Sequence, residues 1–387
     1  QFLDLWEAGI HSSFSFLNSP VSCTSVVHPD LDLLDIQVKS PLLSNGELAI
    51  RISFPYGSEL PDASDWNSPD KHESLLKEIA KDKEYEITRR LDTNEYRVRM
   101  CIGAQQRLKQ ISKHEFILES ATSLFQASFL FSREHINIPL PSFEDTKASV
   151  TDYWASFWNN GAAIELAESK DSRGFELERR IILSQYLTAI HCTGVFPPQE
   201  TGLCCNSWYG KFHLEMHLWH AAHFVLWGRA ELFMRSMSWY TQILESARER
   251  ARSQGYRGAR WPKMTDPSGA ESPSPIGPYL CWQQPHPIMY AELIRRAGKL
   301  GDKEAEYAKL VFETADFMAS YLCHDKKNDA YYLGPPLIPA QESHKPGTTK
   351  NPTFEIEYWY WALNTAVDWA ERLQCCSVNK QNWQDII

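Results

Sequence analysis

The stretch that decides the fold is residues 136–149, INIPLPSFEDTKAS, because the pattern of the sequence changes across it. Its two prolines cannot continue a helix or a central strand, so the stretch is predicted to be a boundary and a linker. We therefore predict a first domain at residues 1–135, a linker at 136–147 and a second domain at 148–387.

Short β-like runs fill the sequence before the linker. They alternate apolar and polar residues or are rich in β-branched residues, and turn residues separate them, which is typical of antiparallel sheets. The runs are LDLLDIQVKS (31–40), GELAIRISFPYG (46–57), EYEITRRL (84–91), EYRVRMCIG (95–103), HEFILESA (114–121) and SLFQASFLFS (123–132). We predict a β-sandwich that begins in mid-pattern, with further strands expected before Gln1.

Apolar residues at helical spacing follow the linker. The predicted helices are 145–159, 175–193, 212–228, 230–253, 286–298, 302–322 and 353–373. Successive helices form antiparallel hairpins, in a bundle, a solenoid or a closed α/α toroid. Long aromatic loops at 257–284 and 331–351 favour the toroid, which gathers such loops at one end. The predicted fold is thus mainly α, a toroid of helical hairpins with an N-terminal antiparallel β-sandwich.

Charge and composition exclude several classes of partner. The 387 residues have a formal net charge of −10 and no basic stripe, which argues against nucleic acid, because phosphate binding needs clustered Lys and Arg. No apolar run approaches the length that spans a membrane. The 14 Trp residues exceed ordinary packing needs and suit a sugar site, because the apolar face of a pyranose stacks on an indole ring. The oligomeric state stays open.

Cysteine usage gives no sign of a metal. The nine cysteines include the adjacent pairs Cys204/Cys205 and Cys375/Cys376, and they form neither a regular disulfide framework nor a C-x-x-C motif. We expect no metal and no other cofactor. The first residues show no basic region followed by an apolar stretch, so no signal peptide is visible.

The densest group of polar and aromatic residues is CCNSWYGKFHLEMHLWHAAH at 204–223. A helix from Phe212 would place His213, His217 and His220 on one face, where they could bind sugar hydroxyls. The aromatic candidates for the apolar face of the sugar are Trp208, Tyr209 and Trp219. Two alternatives stay open: a zinc site, although the H-E-x-x-H order is absent, and a helical core packed with His and Trp.

A long irregular loop after residue 254 holds a second group. Its many planar and charged side chains indicate a binding rim, with a surface loop ordered by its own prolines as the alternative. The group comprises Arg260, Trp261, Lys263, Asp266, Glu271, Trp282, Gln283, Gln284 and His286.

A third group contains three glutamates. Glu355 and Glu357 open a helix, where the helix dipole favours an anion. Glu342 lies in a Pro-rich loop and has no such structural explanation. We therefore predict that Glu342 is a general acid that acts on a glycosidic oxygen.

Together these segments resemble the catalytic domains of glycoside hydrolase family 65 and, more distantly, of family 95. The resemblance covers residues 145–387, and it places the chain among enzymes similar to the six-hairpin glycosidase superfamily. Family 65 shows a Gly-His-x-Phe-Trp-Asp-Thr-Glu run, and with Gly210 setting the register Glu215 falls on its sugar-contacting Asp. Family 95 shows an Asn-x-Asn-x-x-Met-Asn-Tyr-Trp run, in which Lys211 and His213 fall on the paired Asn residues.

The later blocks are also similar to family 65. GYRGARWP at 255–262, followed by Glu271 and His286, resembles its next block, and Glu342 occupies the neighbourhood of its Gly-Pro-Asp-Glu general acid. There are departures: the Phe-Trp-Asp sequence is replaced, the acid motif is stretched to GPPLIPAQE, and Asn-Asn-x-Tyr-Thr-Asn is absent.

The resemblance implies an inverting glycoside hydrolase that cleaves an α-glycosidic bond in an oligosaccharide or glycoside, with Glu342 as proton donor. The residues predicted to bind the sugar are Trp208, Tyr209, Lys211, His213, Glu215, His217, Trp219, Arg260, Trp261, Lys263, Gln284, His286 and Glu355. The general base is unassigned, because the resembling hydrolases supply it from a later helical hairpin. Seven or eight helices are also too few for a toroid of twelve, so we expect the chain to be incomplete.

Two other functions stay open. A disaccharide phosphorylase would need an anion site among loop Ser, Lys and His groups. A non-catalytic carbohydrate-binding protein would keep the pocket without the chemistry. The resemblance favours an extracellular or periplasmic location, and a cytoplasmic one stays open.

Overall fold

The computed structural model describes residues 1–81, 83–202, 205–375 and 379–387. This part of the chain forms two compact units, Gln1–Gly161 and Ala162–Ile387. No helix among the described residues has both the length and the apolar character that crossing a membrane requires.

The first unit is built from antiparallel strands. They are β1 (Phe2–Leu3), β2 (Ile10–Phe16), β3 (Ser19–Val27), β4 (Leu33–Lys39), β5 (Ile50–Ser53), β6 (Tyr56–Gly57), β7 (Ser64–Asp65), β8 (His72–Ala80), β9 (Glu84–Leu91), β10 (Asn94–Ile102), β11 (Gln106–Ser112), β12 (Glu115–Ser120) and β13 (Leu124–Ser132). Eight strands form one sheet in the order β1-β2-β3-β4-β13-β10-β9-β8, and three form another in the order β11-β12-β5. The predicted antiparallel sheet is confirmed.

One apolar core lies between these two sheets. Phe116 and Leu118 of β12 alternate with less buried neighbours, so both point to the same face of the small sheet. They share a core with Ile87, Met100 and Phe125 of the large sheet, and all five side chains are fully buried. The alternation in the sequence therefore corresponds to one buried face on each sheet, as in a β-sandwich.

Two helices complete the first unit, α1 (Pro41–Ser44) and α2 (Phe143–Asn159). Ser142 and Asp145 form a capping box at the start of α2, which satisfies backbone N–H groups that the helix leaves free. Helix α2 contacts β3, β4 and β13, and Thr146 and Val150 are buried. The helix predicted to begin at residue 145 thus lies in the first compact unit, whereas the predicted boundary put most of it in the second domain.

The second unit is mainly helical. Its helices are α3 (Gly174–Cys192), α4 (His217–Ala221), α5 (His223–Leu226), α6 (Ala230–Gln242), α7 (Leu244–Ser253), α8 (His286–Arg296), α9 (Glu304–Tyr321), α10 (Thr353–Arg372) and α11 (Lys380–Ile386). Helix α9 contacts α6, α7, α8, α10 and α11. Trp239 of α6, Tyr290 of α8, Tyr307 of α9 and Trp369 of α10 are buried. The predicted helical second part is confirmed, and its closure into a toroid stays a prediction.

Four short strands interrupt the helices of this unit, and they pair as two ladders. They are β14 (Phe212–His213), β15 (Met264–Thr265), β16 (Cys323–Asp325) and β17 (Ala330–Tyr332). Strand β14 pairs with β15 and β16 with β17, both antiparallel. Single 3₁₀ turns occur at Trp208–Gly210, Gly277–Tyr279 and Gly301–Lys303.

The prediction of one helix at 212–228 is wrong. Its first residues form β14, and helical structure begins only at His217, in α4 and α5. Tyr209 and Gly210 take the left-handed backbone conformation just before β14, with φ of 60° and 70°. The partner strand β15 lies far along the chain, so no local pattern reveals the pairing. The predicted helix at 230–253 is divided at Ile243 into α6 and α7.

Candidate functional site

The ladder of β14 and β15 brings two distant segments together. Phe212 pairs with Thr265 and His213 with Met264. The ladder is extended by Leu214, whose backbone N–H donates to the carbonyl of Lys263 at 3.0 Å. As a result Glu215, which follows β14, lies beside Lys263, which precedes β15.

Lys263 lies between two carboxylates. Its Nζ atom is 3.0 Å from Oε1 of Glu215 and 2.8 Å from Oε1 of Glu342. The Lys263 and Glu215 side chains are 9% and 8% exposed, whereas that of Glu342 is 39% exposed. The cluster therefore has a buried acid on one side of the ammonium group and a solvent-accessible acid on the other. We call Glu215, Lys263 and Glu342 the carboxylate–lysine cluster.

Burial and charge act in opposite directions within this cluster. Burial raises the pKa of Glu215, and the opposing effects of Lys263 and of the Trp282 N–H do not cancel it. Burial by itself would lower the pKa of Lys263, but the hydrogen bonds to Glu342 and Glu215 and their charges outweigh it, and this pKa is raised. Lys263 is therefore a cation at neutral pH, and Glu215 takes up a proton more readily than an ordinary glutamate.

Two aromatic residues fix Glu215 from the other side. Trp282 Nε1 donates to Glu215 Oε2 at 3.1 Å. His286 Nε2 lies 3.0 Å from the Glu215 carbonyl and must donate to it, so Nδ1 of the neutral ring accepts from the Tyr358 hydroxyl at 2.9 Å. Burial lowers the pKa of His286 to about 4, which keeps the ring neutral. Glu215 is thus held by both its carboxylate and its backbone.

The loop with Glu342 is attached at two further points. Ile338 N–H donates to the carbonyl of Tyr279 at 2.9 Å, which joins the two long loops of the unit. Ala340 N–H donates to Oε1 of Glu355 on α10 at 2.6 Å. Glu355 is fully buried, and burial raises its pKa. Glu342 itself has a left-handed backbone, with φ of 56°, so it ends a turn of defined shape.

The structure therefore brings together several of the residues predicted for the site. Glu215, Lys263 and Glu342 are in direct contact, His286 contacts the Glu215 backbone, and Glu355 contacts the backbone of the Glu342 loop. His213 is buried nearby: burial lowers its pKa, and the charge of Lys263 acts in the same direction.

The predicted helical face of histidines does not exist, because His213 lies on β14 and His217 on α4. His217 is fully buried, with Nδ1 at 2.8 Å from the Tyr240 hydroxyl and Nε2 at 3.1 Å from Ser236 Oγ. Both ring nitrogens are thus occupied within the core. The predicted contact of His217 with sugar is corrected to a packing role.

Trp261 and Gln284 are also core residues. Gln284 exchanges two hydrogen bonds with the backbone of Trp261, at 2.9 and 2.6 Å. The indole N–H of Trp261 donates to Thr314 Oγ1 at 3.0 Å. Trp261 and Gln284 are each 1% exposed. Their contacts shape the loop before Lys263 and leave no surface for a ligand.

Three other predicted aromatic residues are exposed instead. Trp208, Tyr209 and Trp219 expose 55%, 66% and 64% of their surface. Trp208 and His213 have ring centroids 6.2 Å apart. Lys211 is half-buried, and its charge contributes to the lowered pKa of Asp266, for which the Ser268 hydrogen bond is the main cause. Sugar binding by these exposed residues stays a prediction.

Tyr358 was not predicted from the sequence as a site residue. Its hydroxyl orients His286 by donating a hydrogen bond to Nδ1. Tyr358 follows Glu355 by three residues on α10, and residues three apart lie on one side of a helix. Once Glu355 is placed at the site, that spacing is the signal that identifies Tyr358.

The cysteines add nothing to the site in the described part of the chain. No disulfide bond joins any two of the seven cysteines found there, and Cys204 and Cys376 of the adjacent pairs lie outside the described residues. Within residues 1–81, 83–202, 205–375 and 379–387, no group of three His, Cys, Asp or Glu residues is arranged to hold a metal ion.

No family model and no curated protein matches the sequence of the chain. Among solved structures, a human-microbiome protein assigned as a kojibiose phosphorylase aligns with 99% of the chain and 55% of its own length, at a TM-score of 0.69 and 12% identity. A bacterial glucoamylase in complex with acarbose aligns with 99% of the chain and 56% of its own length, at a TM-score of 0.55 and 13% identity. The chain thus shares its fold with these two carbohydrate-active enzymes.

The similarity to six-hairpin glycosidases concerns the fold, because the sequence identities are low. The chain spans about half the length of either aligned structure. The predicted resemblance to these enzymes is thereby confirmed for the fold alone. Activity has to be argued from the site itself.

Proposed function

We propose that the chain belongs to an inverting glycoside hydrolase that cleaves an α-glycosidic bond, with Glu342 as the proton donor. The observation that supports this most directly is the carboxylate–lysine cluster. Glu342 is its one accessible acid, and it lies on a loop attached to α10 and to the other long loop, at Tyr279. A proton donor needs both access to the leaving oxygen and a defined position, and Glu342 has both.

Lys263 would stabilise Glu342 after proton transfer. The ion pair, with the Glu342 carboxylate 2.8 Å from the ammonium group, is the state that follows transfer of the proton to the glycosidic oxygen. A proton from solvent would restore the acid before the next turnover. A positive charge already in place favours the charge that develops during bond cleavage. Glu215, held by Trp282 and His286, would then bind a hydroxyl of the sugar.

Glu215 does not fit the role of the water-activating base. Its Oε1 and that of Glu342 contact the same nitrogen, at 3.0 and 2.8 Å, so these two oxygens are less than about 6 Å apart. Inverting enzymes separate their two carboxyl groups by roughly 6.5–9.5 Å to admit a water molecule. The base is therefore a different residue and stays unassigned.

The test is hydrolysis of α-linked disaccharides by the native full-length protein. Glu342→Gln should abolish cleavage and retain sugar binding, and Glu357→Gln, which changes an exposed glutamate on α10, should leave the rate unchanged. Product analysis by NMR should show inversion at the anomeric carbon. Unchanged cleavage by Glu342→Gln would contradict the assignment of the proton donor.

A disaccharide phosphorylase is the second candidate, favoured by the alignment with a protein assigned as a kojibiose phosphorylase. It would release sugar phosphate, and only when inorganic phosphate is present. Sugar binding without any cleavage, in the presence or absence of phosphate, would instead indicate a non-catalytic binding protein.

A further inference from the structure

The helical unit contains a cavity whose lining does not include the residues of the carboxylate–lysine cluster. Its volume is about 380 Å³, within the range of roughly 300–1,000 Å³ that is typical of small-molecule sites. The end of α7, the end of α9 and the two long loops form its walls. The lining residues used below are Gln254, Tyr256, Arg260, Tyr279, Tyr321 and Cys323. Lys263 and Glu342 are not among its lining residues.

Arg260 is a buried cation in the wall of this cavity. It is 7% exposed, and its guanidinium donates to Gln254 Oε1 and, at 2.5 Å, to the carbonyl of Pro278. The guanidinium also lies 5.9 Å from the ring centroid of Phe317. All of these partners are uncharged.

No acid pairs with Arg260 among the described residues. In the part of the chain that the structure describes, no carboxylate lies within ion-pair distance of Arg260. Its neighbours differ, because Arg248 pairs with Glu313 and Arg250 lies 3.8 Å from Glu271. A buried charge is costly unless an opposite charge compensates it. A cavity beside such a group is a place where a ligand would supply that charge.

The other walls indicate the rest of the ligand. The rings of Tyr256 and Tyr321 lie 5.1 Å apart, and Tyr279 adds a third ring. Aromatic faces suit the apolar side of a sugar ring, and the Gln254 amide can bind hydroxyls. The planar fork of an arginine matches a phosphate or a carboxylate group.

We propose that this cavity binds a monosaccharide with a phosphate or carboxylate group, whose oxyanion contacts Arg260 and whose ring lies against the tyrosines. The inference that the ligand has an anionic group rests on Arg260 alone. The choice of a sugar as its carrier rests on the proposed function. Glu342 does not line this cavity, so the proposal gives Arg260 a ligand different from the cleaved sugar that the sequence predicted for it.

Isothermal titration calorimetry at constant ionic strength tests the proposal with glucose 6-phosphate, glucuronate, glucose and inorganic phosphate. At least one of the two charged sugars should bind about tenfold more tightly than glucose, and the tighter of the two identifies the anionic group. Equal binding of all three sugars would overturn the proposal. If inorganic phosphate binds and neither charged sugar does, the proposed ligand class is overturned.

Variants locate the binding. Arg260→Gln should weaken binding of the charged sugar about tenfold or more, whereas Arg257→Gln removes the same charge from an exposed position on the same loop and should have no effect. If the Arg260→Gln and Arg257→Gln variants bind the charged sugar with equal affinity, the role of Arg260 is overturned. Binding should survive in Glu342→Gln, so a failure of the proposed hydrolase and a failure of this site give different results.

A measurement on the unaltered protein covers the case in which Arg260→Gln does not fold. Cys323 is exposed and lines the cavity, and Cys205 is exposed elsewhere. The charged sugar should slow alkylation of Cys323 by iodoacetamide, read by mass spectrometry, and leave Cys205 unchanged. Equal rates at Cys323 with and without the sugar would overturn the proposal.

Discussion

Glu355 accepts a hydrogen bond from the backbone N–H of Ala340 at a distance of 2.6 Å. Glu355 is fully buried on α10, and Ala340 lies two residues before Glu342. A side chain inside the helical unit thus fixes the main chain of the loop that presents the proposed proton donor. We therefore infer a positioning role for Glu355, which the sequence alone predicted to bind the sugar.

We expect Glu355→Ala to lower kcat about tenfold or more with a smaller change in KM, because the loop loses its attachment and Glu342 its position. Glu355→Gln should restore most of the rate, because its amide oxygen can accept the same hydrogen bond. Steady-state kinetics on both variants is the measurement. A Gln variant as slow as the Ala variant would show that the accepted hydrogen bond is not the function of Glu355.

Lys263→Met should lower the free energy of unfolding by about 3 kcal/mol, because it leaves the buried Glu215 without its cation. The matched control is Lys299→Met. Lys299 and Glu231 form an exposed pair, with 47% and 62% of their side chains accessible, and such pairs contribute about 1 kcal/mol or less. Urea unfolding measures both changes, and losses of equal size would contradict the burial argument.

Acidification should destabilise the protein between about pH 6.5 and pH 4. Burial lowers the pKa of His286 to about 4 and that of His217 to about 3, from an ordinary value of 6.5. The unfolded chain therefore binds protons in this window that the folded chain does not, so stability is full above pH 6.5 and is lost as the pH falls. For His286 the loss is on the order of 3 kcal/mol.

Unfolding in urea across this pH range measures the effect. His286→Gln should reduce the pH dependence, whereas His135→Gln, at an exposed position of the first unit, should leave it unchanged. A His286→Gln variant with the pH dependence of the unaltered protein would exclude His286 as a source.

His217 and Trp219 should separate stability from binding. His217→Leu removes one hydrogen bond from the Tyr240 hydroxyl and one from Ser236, so we expect a loss of about 2 kcal/mol in stability and unchanged sugar affinity. Trp219→Ala changes a side chain that is 64% exposed and should lower sugar affinity with little change in stability. Thermal unfolding and sugar titration on both variants test this, and the reverse pattern would restore His217 to the site.

Most of the long helices could be predicted because their signals are local, and so could the strands that match the predicted runs, β4, β5, β9, β10, β12 and β13. Strands β2, β3, β8 and β11 lie outside those runs and were not predicted. Alternation along β12 and helical spacing along α10 are present in the segment itself. Strand β14 could not be predicted in this way, because two residues become a strand only through pairing with β15. The same limit hid the burial of His217, whose hydrogen-bond partners lie on α6.

The candidate site was predictable by residue type more than by contact. Glu215, Lys263 and Glu342 were each selected as polar residues in unusual segments, but only the folded chain shows that one ammonium group contacts both acids. Trp261 and Gln284 have the same polar and planar character and turn out to bond to each other. Sequence cannot separate these two outcomes, because the side chains are chemically alike and only their partners differ.

The hydrogen bond from Ile338 to the carbonyl of Tyr279 involves main-chain atoms only. Any residue except proline at position 338 can donate it, and any residue at position 279 can accept it. Over evolutionary time both loops can thus exchange nearly all of their side chains and still meet at the same point. Low sequence identity in this region is therefore compatible with an inherited loop arrangement, and a proline at position 338 would mark a lineage that has lost it.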